Sequence, residues 1–152
     1  MTDIRPKMIE KFSKLLQNRK FKDYKNISYN IERGIYNNVI DYCSKQKIIK
    51  RWDNKIFKNI YIQKNISIYN NLNPESYLQN VRLINRLRAK EFNPEELADM
   101  NNLYLFPENW KDVYDKKEKR DKLLYEVNKD MATDLFTCSR CKKSECTYYQ
   151  IQ

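Results

Sequence analysis

One glycine in 152 residues is the tightest constraint on how this chain can fold. Hairpin turns, bulges and left-handed helix ends draw on glycine because it alone lacks a Cβ. A sandwich or barrel of short strands needs such a residue at many of its corners. With one Gly and four Pro, the chain is expected to form long helices joined by few sharp turns. Its 41% hydrophobic and 33% charged residues suit one ordinary domain plus a small module, with a heavily solvated surface.

A formal charge of +10 points to an acidic partner: nucleic acid, an anionic membrane, or the negative face of a large protein. No apolar run approaches the ~18 residues of a membrane span. The leader Met1-Thr2-Asp3-Ile4-Arg5-Pro6-Lys7 enters a charged amphipathic segment instead of a signal peptide, so an intracellular protein is expected. The chain has no histidine. That excludes histidine triads, histidine zinc ligands and histidine acid–base chemistry within it. The abundance of Tyr, Asn, Lys and Ile has the look of AT-rich coding.

Apolar spacing predicts the helices in order. Residues 3–17 set Ile4, Met8, Phe12, Leu15 and Leu16 on one face. A second helix, 28–46, aligns Ile31, Ile35, Val39 and Tyr42, with Gly34 weakening its interior and Cys43 read as a small buried hydrophobe. A third, 51–69, sets Trp52, Ile56, Phe57 and Ile60 towards the core and Arg51, Lys55 and Lys58 outward. Between Glu32 and Glu75 the only acids are Asp41 and Asp53, against Lys45, Lys47, Lys50, Arg51, Lys55, Lys58 and Lys64. A merely solvated face mixes signs, so Lys50, Arg51, Lys55, Lys58 and Lys64 are the candidate partner-binding residues.

Two Asn-Pro-Glu starts follow, at Asn73 and Asn93, each with a capping Asn, Pro at the first helical position and acid in the first turn. Glu96 is placed for a capping box with Asn93. The first start is expected to open a helix with Tyr77, Leu78, Val81, Leu83, Ile84 and Leu87 inside and Arg82, Arg86 and Arg88 exposed. Pro107 is expected to begin the last helix, whose eight consecutive charges from Asp115 to Lys122 make it a solvated span. Beyond it lies Cys138-Ser139-Arg140-Cys141, a Cys-x-x-Cys knuckle between two segments of alternating apolar and polar residues. Such a knuckle opens a zinc ribbon, where a strand, a metal-gripping turn and a returning strand follow one another. A thioredoxin-like role would need a βαβ setting, which the pattern lacks.

Thr133-Asp134-Leu135-Phe136, then Cys138-x-x-Cys141-Lys142-Lys143, then Cys146-Thr147-Tyr148-Tyr149-Gln150-Ile151-Gln152 resembles the start of the C-terminal zinc ribbon of transcription elongation factor S-II. The helical body, with a basic helix before Asn-Pro-Glu and a charged connecting helix, is similar to that family's central domain. The resemblance implies a mostly α fold: a helical polymerase-docking domain over 1–106, a charged connecting helix over 107–132 and the first half of a β zinc ribbon over 133–152. It implies an accessory factor, not an enzyme, that binds a multisubunit RNA polymerase as a monomer. Such a factor works in the nucleus, or in a virion or viral factory, and touches nucleic acid only within the polymerase complex. In that family an acidic hairpin of the ribbon supports the polymerase's own cleavage of a backtracked transcript. Zinc would be held by Cys138 and Cys141, while Cys146 matches a family cysteine that is not a ligand. The family's Asp-Glu pair and second knuckle lie past Gln-x-Gln, so the tip as given is expected to hold zinc poorly and to activate nothing. The competing reading is a basic helical nucleic-acid-binding protein with a minor metal knuckle.

Overall fold

The computed structural model describes residues 4–125 and 134–144. Six α-helices and one 3-10 turn appear among them, and no strand: α1 (Ile4–Asn18), α2 (Tyr24–Lys45), α3 (Lys55–Leu72), α4 (Val81–Arg88), the turn Pro94–Ala98, α5 (Asn102–Leu105) and α6 (Pro107–Tyr125). The chain divides into two compact units, residues 1–110 and 111–152. The first is a helical bundle in which α2 packs against α1, α3 and the 3-10 turn, and α4 lies on α3.

The core is one apolar cluster. Phe12 and Leu16 from α1 meet Ile31, Ile35 and Val39 from α2, and Phe57, Tyr61, Ile68 and Leu72 from α3; Leu83, Leu87 and Leu97 close it. Burial of side chains this size contributes about 1.5–3 kcal/mol each. Cys43 is buried in the cluster, as its helix position suggests.

One charge is buried with them. Glu32 is fully enclosed, and Arg5 grips it from α1 with Nε and a terminal nitrogen, each at 2.7 Å. The Tyr61 hydroxyl donates to the same carboxylate at 2.7 Å. The guanidinium also lies 4.1 Å over the Tyr36 ring. A lone carboxylate here would be very costly; this one has a bidentate cation and a third donor. Burial, followed by the hydrogen bond to Glu32, pushes the Tyr61 phenol well above its usual range.

Gly34, the sole glycine, sits inside α2 where the chain after Asn93-Pro94 crosses it. A Cβ built there would lie 2.7 Å from Glu95 Cα and closer still to its carbonyl oxygen. The glycine weakens the isolated helix and permits the crossing.

Elsewhere lysine does what glycine commonly does. α1, α2 and α4 are each followed by a lysine in the left-handed region: Lys20 (φ 59°), Lys47 (φ 56°) and Lys90 (φ 57°). Each lysine N–H donates backwards, to Gln17, Ser44 and Leu87 respectively. The next residue reaches further: Phe21 to Leu16 at 3.1 Å, Ile48 to Cys43 at 2.8 Å, Glu91 to Arg86 at 3.2 Å. These are three Schellman ends, which satisfy carbonyls that a helix otherwise leaves open.

Three sequence expectations are corrected in this unit. The third helix begins at Lys55, because Asn54 Oδ1 accepts the N–H groups of Ile56 at 2.9 Å and Phe57 at 3.4 Å and so caps it. Its core face is Phe57, Tyr61, Asn65, Ile68 and Leu72, while Ile56 is exposed. Asn73 ends α3, and the next helix waits for Asn80, whose Oδ1 accepts Leu83 N–H at 3.2 Å and whose amide donates to the Leu105 carbonyl at 2.9 Å. Tyr77 and Val81 are therefore exposed rather than core. Arg86 is largely covered, bound to Glu91 at 2.9 Å and to the Tyr104 carbonyl at 2.7 Å. The Asn93 start is present: Glu96 Oε2 accepts the Asn93 N–H at 3.3 Å, but the chain forms a 3-10 turn there.

Two outcomes are expected. Arg5→Met strands the Glu32 carboxylate and should cost about 3 kcal/mol in urea unfolding, the lower end for buried pairs because a third of the Arg5 side chain stays in solvent. The double variant Arg5→Met/Glu32→Leu should recover much of that loss. Lys20→Gly, Lys47→Gly and Lys90→Gly should each raise stability by about 0.5–1 kcal/mol, since a Cβ in the left-handed region costs about 1–2 kcal/mol and the entropy of glycine offsets part of the gain.

Candidate functional site

Two features bear on function, one in each unit. In the helical body it is the stretch from the end of α2 into α3. The Schellman end at Lys47 turns Ile48 back onto the core and leaves Ile49 exposed between Lys47 and Lys50. Trp52 then anchors the loop. Its indole stacks on Tyr36 at 6.1 Å and meets Tyr61 and Phe57 edge-on, both at 5.1 Å. Arg5 lies over the same Tyr36 ring, and Tyr36 also meets Tyr61, so the network around Glu32 also supports the loop.

On that support the candidate cations divide. Lys50, Arg51, Lys55 and Lys58 are all exposed. Lys50 donates to Ser44 Oγ at 2.9 Å, and Arg51 pairs with Asp53 at 3.0 Å, so Arg51 is partly compensated. Lys55 and Lys58 are one turn apart on α3 and share a face. Lys64 does not join them. It lies nine residues after Lys55, about two and a half turns, and so on the opposite side of α3. There it is half-buried beside α2, and desolvation holds its pKa below the ordinary lysine value against the pull of Asp99. The sequence pattern missed this separation because it counted charges along the chain, not around the helix.

The second unit contains the cysteine knuckle. From residue 111 onward the described part of α6 is almost wholly exposed; Val113 and Leu123 remain in solvent, and Glu118 pairs with Lys122 at 3.0 Å one turn away. After it, the chain turns at 138–143. Cys138 N–H donates to the Lys143 carbonyl at 2.8 Å, and Lys142 N–H donates to the Cys138 carbonyl at 2.9 Å. Lys142 is left-handed at φ 59°, which tightens the turn. The backbone N–H groups of Cys141 and Arg140, together with the Cys141 thiol, hydrogen-bond the Cys138 sulfur and hold its pKa below the ordinary thiol value.

This is the chemistry a metal knuckle needs: a turn that sets two sulfurs side by side, with N–H dipoles that stabilise thiolate. The pair fits one half of a tetrahedral thiolate site. Among the described residues no group of three or more His, Cys, Asp and Glu could hold a metal. The expected rising strand before the knuckle is not formed over its described residues, 134–137, which are turn and coil; Thr133, the returning segment 146–152 and Cys146 lie outside the described residues.

The two kinds of cysteine should differ in reactivity. Cys43 is fully buried, and desolvation raises its pKa despite nearby Lys50. Under iodoacetamide near neutral pH, Cys138 should be alkylated at least about tenfold faster than Cys43, which should react only on unfolding. Peptide mapping by mass spectrometry reads both rates. No protein-family model matches the chain.

Proposed function

We propose that the chain is an accessory factor of the elongation factor S-II type, whose helical body docks on a multisubunit RNA polymerase and whose knuckle belongs to a zinc ribbon. The observation that carries the reading is the closed Cys138–Lys143 turn, with N–H donors on the Cys138 sulfur, following a helical body and a charged helix. Zinc, when bound, would crosslink the ribbon, and Cys138 and Cys141 would hold it. The sequence has no adjacent Asp-Glu pair after Cys141, so these residues supply docking and the ribbon's first turn, not the acidic group that assists cleavage. The cleavage chemistry belongs to the polymerase, and the site of action is the site of transcription. Among the described residues no helix is long and apolar enough to cross a membrane.

The basic loop favours a protein partner over naked nucleic acid. Its aromatic residue, Trp52, is committed to Tyr36, Phe57 and Tyr61, and is not presented as a platform for stacked bases. Lys50, Arg51, Lys55 and Lys58 are left to meet an acidic protein face.

Binding to purified polymerase, followed by biolayer interferometry, tests the proposal. Lys50→Glu/Arg51→Glu/Lys55→Glu should weaken binding at least about tenfold, chiefly through a slower association rate, with the thermal unfolding midpoint unchanged. Cys138→Ser should remove the weak zinc binding expected of the two-cysteine knuckle while leaving the helical body's docking intact. Micromolar binding to naked RNA or DNA with a steep salt slope, and none to polymerase, would establish the competing reading.

A further inference from the structure

α2 and α3 leave an open groove between them, whose α3 wall runs from Asn59, one turn after Lys55, round to Lys64 on the opposite side of the helix. It measures about 510 Å³ and takes its apolar surface from Val39 and Tyr42 of α2 and Ile60 of α3, with Asn38, Asn59, Gln63, Ser67 and Lys64 also lining it. Its volume falls within the roughly 300–1,000 Å³ of ordinary ligand clefts. Most of its lining is apolar. Tyr42 is half exposed, and Ile56, one turn before Ile60 on the same face of α3, is 59% exposed. The apolar strip thus runs for two turns along α3 before it reaches Lys64.

Lys64 is the anomaly in this surface. It lines the groove while half-buried, and it forms no ion pair among the described residues. Asp99 acts on it from a distance and is itself bound by Asn38 Nδ2 at 2.7 Å. A cation that has lost water without gaining a carboxylate is under-compensated, and an arriving anion restores the balance. The apolar walls restrict which anion. A phosphate would leave Val39, Tyr42 and Ile60 unused, whereas a carboxylate borne next to an aliphatic side chain would use the groove and the cation together.

We infer that this groove docks a partner protein segment carrying aliphatic side chains and, one helical turn away, a carboxylate that pairs with Lys64. The site is separate from the basic loop and does not depend on which partner that loop meets. α3 then carries two recognition faces, one purely cationic and one apolar with a single cation at its end.

The probe is a capped helical peptide with leucines one turn apart and a glutamate one turn beyond, made in both sequence directions and titrated into ¹⁵N-labelled protein. Amide shifts are expected at Val39, Tyr42, Ile60 and Lys64. The Glu→Gln peptide should bind about tenfold more weakly, the scale of one charge-assisted hydrogen bond. Lys64→Met, which keeps the buried stem, should abolish that difference without changing the fold, and Ile60→Asp should abolish binding of either peptide. Equal affinity of the Glu and Gln peptides, shifts confined to the 47–58 loop, or groove shifts produced by a short RNA oligomer and not by the peptide would each overturn the inference. Because no polymerase enters the assay, its failure leaves the docking proposal standing, and the reverse also holds.

Discussion

The body of this protein depends on the way Glu32 is enclosed. A carboxylate with no exposed surface must be matched on every side, and the match comes from two other helices: Arg5 on α1 and Tyr61 on α3. The three helices are thereby fixed in rotation as well as in distance, since a bidentate guanidinium tolerates little twist. The effect extends outward. Arg5 lies on Tyr36, Tyr36 stacks on Trp52, and Trp52 anchors the loop that carries the exposed cations. A surface that would otherwise be a floppy basic run is held by an interaction in the interior. This is specificity more than raw stability, because an apolar core of equal volume would hold the helices together but not in one register.

The shortage of glycine set the fold class, and the way the chain works around it is visible at its helix ends. Lys20, Lys47 and Lys90 accept a left-handed backbone that glycine would adopt freely, and Lys142 does so in the cysteine turn. The Schellman hydrogen bonds and the apolar contacts behind them, Phe21 near Leu16 and Ile48 near Cys43, outweigh the local strain. Helical character was legible because it rests on spacing, which a sequence displays directly. The lysine caps were not, because lysine carries no turn signal of its own.

The same division runs through the rest of the structure. The spacings of α1 and α2, the Pro107 start and the Cys-x-x-Cys turn were readable, each being a short-range pattern, although α2 begins at Tyr24 instead of residue 28 and Tyr42 is half exposed. Asn73 carries the Pro and Glu of a helix start and Asn80 does not, yet the packed chain ends α3 at the first and starts α4 at the second. Trp52 looked like a helical core residue because periodicity cannot detect that Asn54 caps the helix after it. Nothing in the sequence marks Glu32 as buried, since its partners lie 27 and 29 residues away. Lys64 was grouped with Lys55 by proximity along the chain, and separated from it by the turn of the helix.

Gly34 has a consequence of another kind. The Glu95 backbone occupies the space where any side chain at position 34 would begin. Every missense change that a single base can make in a glycine codon adds a Cβ, so no conservative neighbour exists for this residue. The lysine helix ends, by contrast, have an easy alternative in glycine. Genetic drift can therefore rewrite much of this chain's surface and several of its turns, while one codon near the middle of α2 remains closed to it.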